Sequence, residues 1–163
     1  MTIAKKTLDL IQSEIGKLST AAVGIVDTFY PDSLTADIRL KNKSEVLLPK
    51  VPVAYPSSSA GSMLWSLAEG DLVLLIFTKW DVKKLLKDKE ACEVNENLRF
   101  SVNNAVAIPG LFSQASDIPY QLQEGEIVIK TSSGSGMKFH GDGEIKIVAK
   151  SFEVLDMNEG YEL

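Results

Sequence analysis

The run Gly125-Glu126-Ile127-Val128-Ile129-Lys130 returns eighteen residues later as Gly143-Glu144-Ile145-Lys146-Ile147-Val148. Between the copies lie a Ser/Gly-rich turn, Thr131 to Gly136, and the short run Met137-Lys138-Phe139-His140. Side chains alternate between the two faces of a strand. Read as strands, these segments put Ile127, Ile129, Met137, Phe139, Ile145 and Ile147 on one face and mostly polar residues on the other. Val128 and Val148 are the exceptions. After Lys150-Ser151 the parity shifts to Phe152 and Val154. So short a tail has no second layer of its own with which to cover an apolar face. Repeated strand–turn units bury such faces against stacked neighbours. The expected cover is therefore the same face on other copies, closed by symmetry into a β-prism or an intertwined triple-stranded β-helix. A meander folded back on the rest of the chain is the alternative.

The chain begins differently. Ala4, Leu8, Ile11, Ile15 and Leu18 fall at spacings of 4, 3, 4 and 3, a narrow stripe that predicts an amphipathic helix over 1–19. Gly16 weakens its last turn. Such a helix is marginal alone and needs a surface, on its own domain or on a partner. From residue 20 the pattern becomes that of short strands: Ala22 to Phe29, Thr35 to Leu40 and Glu45 to Leu48. Pro31-Asp32-Ser33 and Lys41-Asn42-Lys43 are turns between them. Tyr55 to Ser62 reads as a Pro, Ser and Gly-rich loop. Leu72 to Phe77 reads as a buried central strand. Asp81 is placed to cap a short helix, Val82 to Leu86, and a polar stretch, Lys87 to Asn97, follows. Asn104 to Ile108 is a last strand, ended by Pro109-Gly110. Five strands with a helix before the fifth is the order of a small Greek-key barrel of the OB kind. The expected organisation is mainly β: an N-terminal helix over 1–19, an OB-fold domain over 20–115 and a repetitive β-tail over 116–163.

Composition limits what this organisation does. Seventeen basic against twenty-two acidic side chains leave a net charge of −5. Phosphate neutralisation calls for the opposite balance. The longest apolar run, Leu72 to Phe77, is far short of the ~20 residues of a membrane-spanning helix. The opening residues lead into an amphipathic pattern and not the apolar core of a signal peptide, so cytoplasmic synthesis is expected. One cysteine, Cys92, excludes an internal disulfide, and its acidic neighbours Glu90 and Glu93 disfavour a thiolate.

With these pieces in order, the chain resembles the central spike proteins of contractile phage tails, of the short baseplate-assembly type that lacks a lysozyme insert. The likeness rests on Gly70-Asp71 leading into Leu72-Val73-Leu74-Leu75-Ile76-Phe77 with Trp80 beyond. It rests also on Asn104-Ala105-Val106-Ala107-Ile108-Pro109-Gly110-Leu111 and on the Gly-Glu-Ile-x-Ile tail, together covering roughly residues 20 to 150. It implies a homotrimeric virion protein made in a bacterial host. Its barrels would dock on the baseplate hub, and its shaft would point at the host membrane, with or without a separate tip protein. The trimer core would be Ile127, Ile129, Met137, Phe139, Ile145 and Ile147. Tyr55, Pro56 and Met63 are candidate hub contacts in the loop, and Leu8, Ile11 and Ile15 in the helix. Some spikes of this family carry a His-x-His pair that binds iron at the tip. Here His140 stands alone and nothing in 156–163 matches.

No catalytic set emerges, and the expectation is a protein that is not an enzyme. Ser132-Ser133-Gly134-Ser135-Gly136 lacks the lysine of a phosphate-binding loop. The single histidine is in the repeat tail, so no Ser/His/Asp arrangement forms. Glu124, Glu126, Asp142 and Glu144 lie in turns and are expected to be solvated. An acid/base pair needs one carboxylate desolvated. His140 follows Phe139, so the parity sends it to the opposite face, toward water, and neither metal nor cofactor is expected. An alternative function for an OB-type barrel is nucleic-acid binding, with Trp65 and Trp80 as stacking platforms. The acidic balance argues against it.

Overall fold

The structure is a computed structural model that describes residues 3–16, 20–87, 101–114, 118 and 120–151. The chain is mainly β and divides into two compact units, Met1–Ser113 and Gln114–Leu163.

The first unit opens with helix α1, Ile3–Gly16. Five strands form one sheet: β1 (Ala21–Tyr30), β2 (Thr35–Leu40), β3 (Lys43–Pro52), β6 (Leu72–Phe77) and β7 (Ala105–Leu111). Their order is β3-β2-β1-β6-β7, with every neighbouring pair antiparallel. Just past the end of β3 the chain meets β7: Val53 makes a parallel bridge to Ala107, and the Ala54 amide donates to the Ala107 carbonyl at 2.8 Å. One face of the sheet holds the core, in which Val26, Ile38, Val73 and Leu75 are the largest fully buried side chains. Gly24 sits over this core where an added Cβ has no room: Ile38 overlaps it and Leu75 Cδ1 lies at 3.0 Å.

Several strands differ from expectation in ways the backbone explains. β3 runs past Leu48 through Pro49 because the sheet bulges there. Ala36 pairs with Val51 and Ile38 with Leu48, so Pro49 and Lys50 together face Asp37. Proline is tolerated at such a bulge because no ladder hydrogen bond is asked of it. Lys50 takes φ 50. Its amide donates to Asp37 Oδ1 at 2.8 Å, and the Tyr30 hydroxyl donates to Asp37 Oδ2 at 3.1 Å. Similarly, Pro109-Gly110 does not end β7. Leu72 pairs with Leu111 and Val73 with Pro109, which leaves Gly110, at φ 112, as the extra residue of a second bulge. β6 is not buried on both faces: Val73, Leu75 and Phe77 are buried, whereas Ile76 is exposed. The loop after Tyr55 contains a miniature hairpin, β4 (Ser57–Ser58) with β5 (Gly61–Ser62). Helix α2, Val82–Lys87, starts where Asp81 Oδ1 accepts from the Lys84 amide at 3.2 Å, the expected cap. Cys92 and the polar stretch beyond residue 87 lie outside the described residues, as do Phe152 and Val154.

The second unit contains one three-stranded antiparallel sheet: β8 (Ile127–Lys130), β9 (Gly136–Phe139) and β10 (Ile145–Val148), in the order β10-β9-β8. The repeated glycines, Gly125 and Gly143, have φ 78 and 92. Each turns the chain just before an outer strand, in a left-handed conformation that residues with a Cβ avoid.

Candidate assembly surface

The register of the tail sheet builds its two faces row by row. Residues directly opposite each other in an antiparallel pair share a face. Ile127 and Ile145 both stand opposite Phe139, and Ile129 and Ile147 both stand opposite Met137. The residues predicted to share a face therefore do so, as two cross-strand rows, Ile127–Phe139–Ile145 and Ile129–Met137–Ile147. That face is open. Ile127 is 63% exposed and Ile145 57%, while Met137 and Phe139 in the central strand are half-buried.

The other face is mostly polar. Its rows are Val128–Lys138–Lys146 and Lys130–Gly136–Val148, and beyond the strands Glu126, His140 and Glu144 fall in line. Glu126 is nearly enclosed, with its side chain 2% exposed. Its Oε1 lies 2.6 Å from Lys138 Nζ, and its Oε2 accepts from the Gln123 amide at 3.1 Å. The Lys138 hydrogen bond holds the Glu126 carboxyl below its ordinary value of 4.5. The same bond holds the Lys138 ammonium above 10.5. Lys138 also lies over the Tyr120 ring, 5.1 Å from its centroid. A cleft of about 240 Å³ runs along this face between Tyr120 and the Lys146–Val148 edge.

Two expectations are corrected here. Glu126 is not solvated: the segment that leads into β8 brings it under Lys138. His140 does not face water. Its parity is as predicted, opposite to Phe139, but Nδ1 lies 3.2 Å from Glu126 Oε1 and Nε2 lies 3.8 Å from Glu144 Oε2. Nε2 is buried without a hydrogen bond. The Glu-Ile of each repeat places one carboxylate on either side of this histidine, so the repeat itself encloses it. Among the described residues, no group of His, Cys, Asp and Glu side chains is gathered in the way that holds a metal ion. The other turn carboxylates match expectation better: Glu124, Asp142 and Glu144 are exposed. The Glu144 amide donates to Asp142 at 3.0 Å and holds that carboxyl below its ordinary value.

The candidate hub contacts lie in the first unit. Tyr55 is half-buried: its ring meets Trp65 edge-on at 5.0 Å, and its hydroxyl donates to the Trp65 carbonyl at 2.7 Å. Pro56 and Met63 form the base of the miniature hairpin, where the Met63 amide donates to the Pro56 carbonyl at 2.9 Å. Met63 is exposed, and so are Leu64, which the sequence did not single out, and Trp65, which it offered only as a stacking platform. Their signal was the unbroken apolar run Met63-Leu64-Trp65 in a segment without strand alternation. Trp80 is half-buried with Lys79 over its ring. In α1, Leu8 is 55% exposed; Ile11 and Ile15 belong to the helix, and their side chains lie outside those described. No protein-family model matches the sequence, and no curated protein matches it.

Proposed function

We propose that this chain is a structural, membrane-piercing spike at the centre of a phage-type contractile baseplate, a homotrimer that docks on the hub through its N-terminal region. The observation that carries this reading is the open apolar face of the tail: two cross-strand rows of large apolar side chains on one side of the sheet, with all four outer-strand isoleucines exposed. A face of that kind marks an interaction surface. The first unit supports the same reading. Its order β3-β2-β1-β6-β7, with a parallel bridge to β7 from Val53 just beyond β3, fits a small Greek-key barrel of the OB kind.

On this reading the mechanism is mechanical. A spike driven forward by a contracting sheath must not buckle. Copies that bury one another's apolar faces resist bending, because bending exposes the shared core. The energy of penetration comes from the sheath and not from this chain, and the reading requires no catalysis, metal or cofactor. The acidic balance, net −5, limits adhesion to anionic lipid during passage. It also disfavours nucleic-acid binding as the role of the barrel. Labelling contractile tail particles with an antibody to this chain tests the proposal. Label at the centre of the baseplate, beneath the hub, is expected; recovery of the chain only apart from the particles overturns it.

A further inference from the structure

The tail sheet has two outer edges. Among the described residues, β8 and β10 each pair with β9 alone, and they take the same register on it. They run parallel to each other, carry the same Gly-Glu-Ile-x-Ile pattern and turn the same isoleucines to the same face. We propose that β10 of one copy pairs in parallel with β8 of the next, with Ile145 beside Ile127 and Ile147 beside Ile129 of the neighbouring copy. This rests on the assembly proposed above and names the edge and register through which the copies join.

Three observations favour this occupant. Neither outer strand carries the proline or bulge with which proteins protect an open edge. Continuing the sheet in this register extends both apolar rows without a break, whereas a slip of one residue would send every isoleucine to the wrong face. On the polar face the join sets Lys146 beside Val128 and Val148 beside Lys130, so lysine stems lie along valines. It also brings Glu144 beside Glu126. Both carboxylates already have cations, Lys146 at 3.0 Å and Lys138 at 2.6 Å. An edge that meets a different edge is a heterologous contact, which closes into a ring when the rotation permits.

Cross-linking in the full-length protein tests the register. In a Cys92→Ser background, two matched pairs are made, Lys146→Cys with Val128→Cys, and Val148→Cys with Lys130→Cys. Within one chain these positions lie two strand spacings apart, roughly 9.6 Å, beyond the ~7 Å limit for a disulfide, so any bond must join two copies. Oxidation should give covalent oligomers from both matched pairs, and few from the shifted pair Lys146→Cys with Lys130→Cys or from single variants. Absence of cross-links from matched pairs that retain the parent's circular dichroism overturns the proposal, as does equal cross-linking of the shifted pair. If neither matched pair folds, hydrogen exchange on the unmodified protein reads the same edges. Protection of the outward amides of β8 and β10 supports the pairing, and rapid exchange there overturns it. Matched cross-links in an assembly of some number other than three would uphold the edge pairing while refuting the trimer.

Discussion

At the scale of the residue, alternation was the most legible feature of the tail. Parity alone put Ile127, Ile129, Met137, Phe139, Ile145 and Ile147 on one face, and the register confirms it because each outer strand meets β9 isoleucine to Phe139 or Met137. What parity did not convey was the environment of the opposite face, where the approach to β8 encloses Glu126 and His140. Ile129→Asp and Ile145→Asp each place like charges in the proposed shared core. Burying unpaired charge costs several kcal/mol per ion, so the assembly should dissociate in sedimentation velocity. Lys146→Asp, on the polar face, should leave it intact. The Glu126–Lys138 pair gives the tail a defined pH response. The depressed carboxyl contributes stability that is present above 4.5 and lost as pH falls through its lower folded value. The raised ammonium contributes stability that is present below 10.5 and lost as pH rises through its higher folded value. Thermal melts of the parent and Glu126→Gln should therefore differ most between these limits and converge in acid. In the first unit, Gly24→Ala forces a methyl against Ile38 and Leu75. Overpacking of this kind costs about 1–3 kcal/mol, to be read as a lower urea midpoint.

At the scale of the element, β2 and the α2 cap at Asp81 followed the local pattern, because alternation and capping are local properties. β3 and β7 did not. The third strand was expected to stop at Leu48 and the last at Pro109-Gly110, yet both strands continue because a bulge absorbs one extra residue opposite Asp37 in one case and beside Val73 in the other. A bulge is a property of two strands and leaves no signature in one. The miniature hairpin was illegible for a related reason: its strands, Ser57–Ser58 and Gly61–Ser62, are too short to show a period. Helix α1 was legible as a helix, and its partner was not. Deletion of residues 1–19 should leave the number of chains in the assembly unchanged and weaken binding to the proposed hub partner, as measured by co-sedimentation with baseplates. A truncated protein that dissociates would instead place the helix in the oligomer core.

At the scale of the whole molecule, the chain combines a unit with its own buried core and a unit whose outer-strand isoleucines remain exposed. The first kind of unit is stable through its own packing. The second calls for a cover, and the repeat, the matched register and the open edges all point to further copies of itself. The central claim is therefore that the chain is a trimer held together through its tail. Multi-angle light scattering of the purified full-length protein at micromolar concentration tests it most directly. The account predicts a mass of about three times 17.8 kDa, falling to that of a single chain in Ile129→Asp. A parent protein that elutes as a clean monomer would contradict it.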